Sequence, residues 1–96
     1  MTKYMYYEEM QALSLKACNA FKVISKDPCL IDFYSAAEEG FFTKKNNLAL
    51  AEAREPITPA QIDRLAAFKY RVEKWEAEAA YEIRNQEKCN PDQSGK

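Results

Sequence analysis

Apolar residues recur at Ile62, Leu65, Phe68, Val72, Trp75, Ala79 and Ile83. These steps of three and four keep one face of a helix apolar for about six turns. The start of that helix is marked position by position. Thr58 suits the N-cap, where its hydroxyl can accept from an orphan backbone N–H. Pro59 suits the first helical position, since its missing N–H would have no partner there. Gln61 falls where a side chain can reach back to the cap and close a capping box, and Ile57 and Ile62 occupy the two positions of a hydrophobic staple. Ala, Glu, Lys and Arg, all good helix formers, fill most other positions. Lys69–Glu73 and Lys74–Glu78 add i,i+4 pairs of opposite sign. Asn90-Pro91 is expected to end the helix, so the pattern predicts a long amphipathic helix to about Lys88.

The same spacing predicts a helix from about Tyr4 to Ser25. Tyr6, Met10, Leu13, Ala17, Ala20 and Ile24 follow one another at steps of four and three, and Phe21 widens the stripe. Met5, Leu15 and Val23 lie on other sides, so this helix is expected to touch more than one neighbour. As a coiled-coil seam the stripe is weak, because two of its positions are alanine. Asp27-Pro28 reads as a break and a fresh start, with Asp27 capping and Pro28 leading. The short helix that follows is expected to reach Glu39, with Leu30, Phe33, Tyr34 and Ala37 as its apolar residues. Gly40 is placed just beyond its end, where glycine takes the left-handed conformation at little cost. A third short helix is expected over Asn47–Glu55, capped by Asn46 or Asn47, with Thr43 as the alternative start. Glu55-Pro56-Ile57-Thr58 then links to the last helix.

No alternating apolar and polar run is long enough for a strand. The predicted fold is all-α: a small helical bundle with two long antiparallel helices bridged by two short ones. Residues 1–88 are expected to form a single helical domain and 89–96 a disordered tail. A helix content of about 65–75% is expected, well above the roughly one-third average.

Length and composition narrow the function. Ninety-six residues allow one domain with a thin core, so a partner or self-association is a natural expectation. The chain has 14 basic and 15 acidic residues, for a net charge of −1, and the two halves are balanced. That lacks the basic footprint of a nucleic-acid binder. The 47% hydrophobic content argues against disorder. No run of 18 apolar residues suggests a membrane-spanning helix. Glu8 and Glu9 stand where a signal peptide needs an apolar core, so a cytoplasmic location is expected. Cys18, Cys29 and Cys89 are odd in number and widely spaced, which reads as free thiols.

Chemistry is limited by what is missing. The chain has no histidine, hence neither the commonest general base nor the commonest zinc ligand. A Ser–His or Cys–His nucleophilic pair cannot form within one chain. Its two glycines are isolated, so no glycine-rich phosphate loop exists. Glu8/Glu9 and Glu38/Glu39 are neighbours that diverge by about 100° on a helix, which makes them solvated surface rather than a catalytic pair. We therefore expect no catalytic, cofactor or metal-binding residues.

Two stretches suit a partner. On the last helix, Asp63, Ala67, Tyr70, Lys74, Ala77 and Tyr81 repeat at helical spacing on the side away from the apolar stripe. Tyr70 and Tyr81, with Ala77 beside them, resemble an interface on an otherwise charged face. Phe41-Phe42-Thr43-Lys44-Lys45 reads as an aromatic and basic loop, with Phe41, Phe42, Lys44 and Lys45 as further partner-binding candidates. The favoured reading of that stretch is two rings that seal the end of the bundle and two solvated lysines, with contact to a partner as the other.

The segment TPAQIDRLAAFKYRVEKWEAE resembles helical segments of small accessory proteins of tailed bacteriophages, among them tail-fibre assembly chaperones. The shared features are a T-P-x-Q start, then a leucine and aromatic residues spaced with arginine, over about twenty residues. The resemblance implies a protein without catalytic activity that binds another protein in a host cytoplasm; it carries over no functional residue. The leading expectation is thus a small protein-binding module, an adaptor, inhibitor or assembly factor. The alternative is a small helix-turn-helix-like transcriptional or nucleic-acid-binding regulator, for which two short helices before a long one would be suited.

Overall fold

A computed structural model describes the backbone of residues 1–94 and the side chains of residues 1–86. Four helices follow in order: α1 over Lys3–Ile24, α2 over Pro28–Asn46, α3 over Leu50–Ala53 and α4 over Pro59–Ser94. The fold is all-α, with 85% of the chain helical. Among the described residues the only extended pairing is an isolated bridge between Thr2 and Pro56. No helix among the described residues is long and apolar enough to cross a membrane.

The helix starts follow the expected chemistry. The Thr2 hydroxyl accepts from the Met5 amide at 3.3 Å and opens α1. Asp27 accepts from the Cys29 amide at 2.9 Å, with Pro28 leading α2. At the head of α4 the capping box closes both ways. The Gln61 amide donates to the Thr58 hydroxyl at 3.2 Å, and the Thr58 amide donates to the Gln61 side chain at 3.0 Å. The end of α1 has no glycine. Lys26 takes the left-handed conformation there, with φ 55°, and its amide donates to the Phe21 carbonyl at 2.7 Å.

Three boundaries differ from the sequence reading. The helix expected to stop at Glu39 continues through Gly40 to Asn46, so α2 has 19 residues and is no short bridge. Gly40 keeps an ordinary helical backbone, without positive φ. A helical glycine costs only about 1 kcal/mol, and contacts beyond it outweigh that. Phe41 stacks on Tyr7 with ring centroids 6.2 Å apart, and Lys45 donates to Gln11 at 3.1 Å. The third helix shrinks to the single turn of α3, because Asn46 and Asn47 are used by the end of α2. At the far end the helical backbone of α4 runs past Asn90-Pro91 to Ser94. A proline removes one amide donor and need not end the whole ladder. Residues 95 and 96, and the side chains from 87 onward, lie outside the described residues; of the tail expected over 89–96, the backbone of residues 89–94 is described and is helical.

No side-chain atom is positioned where a methyl group on Gly40 would collide, since nothing lies within 4 Å of it. Gly40→Ala should therefore raise stability by about 0.5–1 kcal/mol through lower unfolded-state entropy. Urea denaturation checks this, and a loss of stability would show that the glycine backbone is needed.

The largest correction concerns direction. The long helices α1 and α4 run parallel, not antiparallel. The amide of Lys3 donates to the Glu55 carbonyl at 2.8 Å and that of Ile57 to the Met1 carbonyl at 3.2 Å, so both helices start at one end. Towards the other end Phe21 meets Trp75, with ring centroids 4.7 Å apart. The cause is the length of α2. It runs antiparallel to α1, pairing Tyr7 with Phe41 near one end and Phe21 with Tyr34 near the other. Having returned the chain to its start, it leaves α4 only the original direction. A 3.0 Å ion pair between Lys3 and Glu55 fastens that junction, and the hydrogen bond and charge of Glu55 raise the Lys3 pKa.

Helix α1 is the central element, flanked by α2 and α4, and it supplies most of the core. Tyr6, Met10, Leu13, Ala17, Ala20 and Phe21 are buried there, as its stripe predicts, and Phe68, Val72 and Ala79 answer from α4. Trp75 and Leu65 are half-buried against this core. Ile62 and Ile83, the ends of the α4 stripe, are exposed. The Tyr6 hydroxyl is buried without a hydrogen-bond partner among the described residues. An orphaned buried hydroxyl costs about 1–3 kcal/mol. Tyr6→Phe keeps the ring and removes that cost, so it should raise the melting temperature by several degrees. An unchanged or lower value in calorimetry would mean that the hydroxyl is satisfied.

Candidate functional site

Helix α2 carries Leu30, Ile31, Phe33, Tyr34, Phe41 and Phe42, yet none of its residues is fully buried. One edge of α2 packs on α1. Its other edge borders a groove between α2 and α4, because those two helices both lean on α1 rather than closing on each other. Met10 and Ser14 of α1 form the floor. Phe33, Tyr34, Ala37 and Phe41 form the α2 wall, and Arg64, Phe68 and Arg71 the α4 wall. The space amounts to about 350 Å³, near the lower end of ligand-sized cavities.

The groove is aromatic inside and positive at one rim. Tyr34 stacks on Phe68 with ring centroids 6.0 Å apart and meets Trp75 at 5.7 Å, which ties α2 to α4 at one level. Phe33 stands edge-on to Tyr34 and remains 63% exposed. The Ser14 hydroxyl is spent on the Met10 carbonyl at 2.8 Å, so the floor offers little polar chemistry. Arg64 and Arg71 are the only charged residues of the lining. The Arg71 guanidinium lies 5.7 Å from the centre of the Phe68 ring, a cation–π arrangement that helps hold it in place. Among the described residues neither arginine has an ion-pair partner; the ion pair present is Lys3–Glu55.

The residues singled out from sequence fall in two separate places. Tyr70 and Tyr81 are 72% and 60% exposed on the outer side of α4, with Ala77 exposed between them. Ala77 and Tyr81 also border a shallow cleft beside Ile24, where α1 ends. The stretch Phe41–Lys45 is not a loop but the last turns of α2, where lysines suit the helix dipole. It is divided by the helix. Phe41 packs toward the core, while Phe42 stays 48% exposed with the Lys45 ammonium 5.4 Å from its ring centre. Lys44 lies over the Tyr7 ring at 5.8 Å, and Lys45 is held by Gln11, which in turn donates to Glu38 at 3.1 Å. These lysines pin the α1–α2 seam. Phe42 and Tyr81 lie toward opposite ends of α1, roughly 30 Å apart for a helix of that length.

The sequence reading did not single out Phe33, Arg64 or Arg71 for the site. A faint signal existed: Arg64 and Arg71 bracket Phe68 at helical spacing. Which helix stands opposite that row depends on the parallel arrangement of α1 and α4, which was expected to be antiparallel.

Cys18 is buried, with its sulfur 3.5 Å from the Ile31 carbonyl, and Cys29 is exposed; both are free thiols. No group of three or more His, Cys, Asp or Glu gathers among the described residues. No protein-family model matches the chain, and no curated protein or solved structure shows significant similarity to it.

Proposed function

We propose that this protein is a non-enzymatic protein-binding module that takes a helix of another protein into the groove between α2 and α4. The supporting observation is the state of α2. A 19-residue helix with three phenylalanines, a tyrosine, a leucine and an isoleucine has no fully buried residue. Apolar side chains left at the surface together usually mark an interaction site. An added helix lying on α2 and α4, opposite α1, would convert the open three-helix arrangement into a four-helix one. Laying the apolar face of a helix into such a groove is a common recognition mode. An adaptor, an inhibitor or an assembly factor would all work in this way, and the resemblance of the α4 segment to phage accessory proteins is in keeping with it.

The Tyr70, Ala77 and Tyr81 face is a second candidate surface, favoured by the exposure of both rings. The two surfaces separate in one experiment. Peptides selected from a displayed library of randomised amphipathic helices should bind the wild-type chain. Phe33→Glu should weaken them by at least about 2 kcal/mol, the scale of an interface hot spot, while the melting temperature holds because Phe33 is mostly exposed. Loss of binding on Tyr70→Ala plus Tyr81→Ala instead would move the site to the outer face of α4. Strong, salt-sensitive binding of duplex DNA would favour the regulator reading.

A further inference from the structure

The charges of the groove specify the chemistry of its occupant. We infer that the groove accepts an acidic amphipathic helix with two carboxylates about seven residues apart, an inference that rests on the helix-in-groove reading above. Arg64 and Arg71 are seven positions apart on α4, which places them on one face about 10 Å apart along the axis. Phe68 lies between them, so the row reads arginine, aromatic, arginine along the groove wall. A helix laid alongside in either direction presents its own residues at the same two-turn interval. Carboxylates at that interval meet both guanidiniums, and an apolar residue between them meets Phe68. Guanidinium and carboxylate pair through two parallel hydrogen bonds, which adds direction to the attraction.

Complementarity is what selects this occupant over the others. No acidic residue lines the groove, so its two positive charges have no counterweight inside it. Two other clefts of the molecule differ in this respect. The cleft beside Ile24 has Lys74 with Glu78 and Glu82, and the one beside Val23 has Lys16 with Glu76. Each of those mixes both signs and discriminates poorly, whereas this groove repels a basic helix and attracts an acidic one.

The test uses the full chain and the displayed helical library named above. Selected peptides should carry Asp or Glu pairs seven positions apart, flanking apolar anchors. Arg64→Glu plus Arg71→Glu should weaken those peptides at least 30-fold, and selection against that variant should return basic helices. Arg64→Glu alone gives a second measurement should the double variant melt early, with a loss of about tenfold. Arg64→Lys plus Arg71→Lys should weaken binding less than the charge reversal does, since the charge survives while the paired guanidinium hydrogen bonds are lost. Neutral or basic peptides that nonetheless depend on Phe33 would overturn the acidic occupant and leave the groove reading intact. Peptides indifferent to Phe33→Glu would overturn the groove reading itself. If the wild-type chain sediments as a dimer that Phe33→Glu dissociates, a second copy is the occupant and the inference fails.

Discussion

Replacing Phe68 by alanine should cost about 3–5 kcal/mol, the range for deleting a buried aromatic ring. Phe68 is 5% exposed and joins three parts of the molecule. It belongs to the core cluster with Tyr6, Met10 and Val72, it stacks on Tyr34 of α2, and it underlies the Arg71 guanidinium. A 96-residue domain has about 5–14 kcal/mol of total stability. The variant should therefore melt more than about 12 °C lower, or be unfolded at room temperature. Ile62→Ala is the matched comparison, being on the same stripe of α4. Ile62 is 52% exposed, so its loss should stay under about 1 kcal/mol. Urea denaturation of both variants gives the two numbers side by side. Equal costs would mean that α4 buries its whole stripe and that the assigned contact face is wrong.

That comparison also shows how far the sequence reached. The spacing of Ile62, Phe68, Val72 and Ile83 revealed a helix and its apolar side. It could not show where along that side a neighbour begins and ends. Helix α1 is 22 residues long and α4 is 36, so the Ile83 end of the α4 stripe outruns the helix it was matched to, while Ile62 is exposed at the end where both helices start. Caps were legible because their chemistry is local: Thr58, Gln61, Asp27 and Pro28 all act within four residues. Gly40 misled because a glycine marks a helix end only when the backbone turns left-handed, and here tertiary contacts of Phe41 and Lys45 keep it helical. The left-handed residue at the end of α1 is Lys26, which no propensity would have singled out. Direction was the least legible property of all. Whether α1 and α4 run parallel depended on α2 crossing Gly40, so one boundary decided the topology, and with it the arginine and phenylalanine walls of the groove.

The central position of α1 leads to the second large expected effect, at a residue that a sequence reading undervalues. Two alanines in the α1 stripe looked like a poor seam, since alanine buries little surface. In the fold Ala17 is 0% exposed and belongs to the core cluster beside Val72, which is also 0% exposed. Interhelical distances of about 8–10 Å depend on the size of the side chains at the contact. A small residue here therefore sets how closely α4 approaches α1. Ala17→Leu adds three carbon atoms where there is no room, and should cost about 3 kcal/mol, the upper part of the range for overpacking. Ala12→Leu lies on the exposed side of the same helix and should change stability by less than about 0.5 kcal/mol. Helix propensity is nearly equal for the two substitutions, so their difference isolates the packing cost. Thermal melting of the pair measures it. A neutral Ala17→Leu would show that α4 can slide or lift away from α1. The α4 wall of the groove would then be adjustable, and the spacing of Arg64 and Phe68 from Phe33 would no longer be set by the fold.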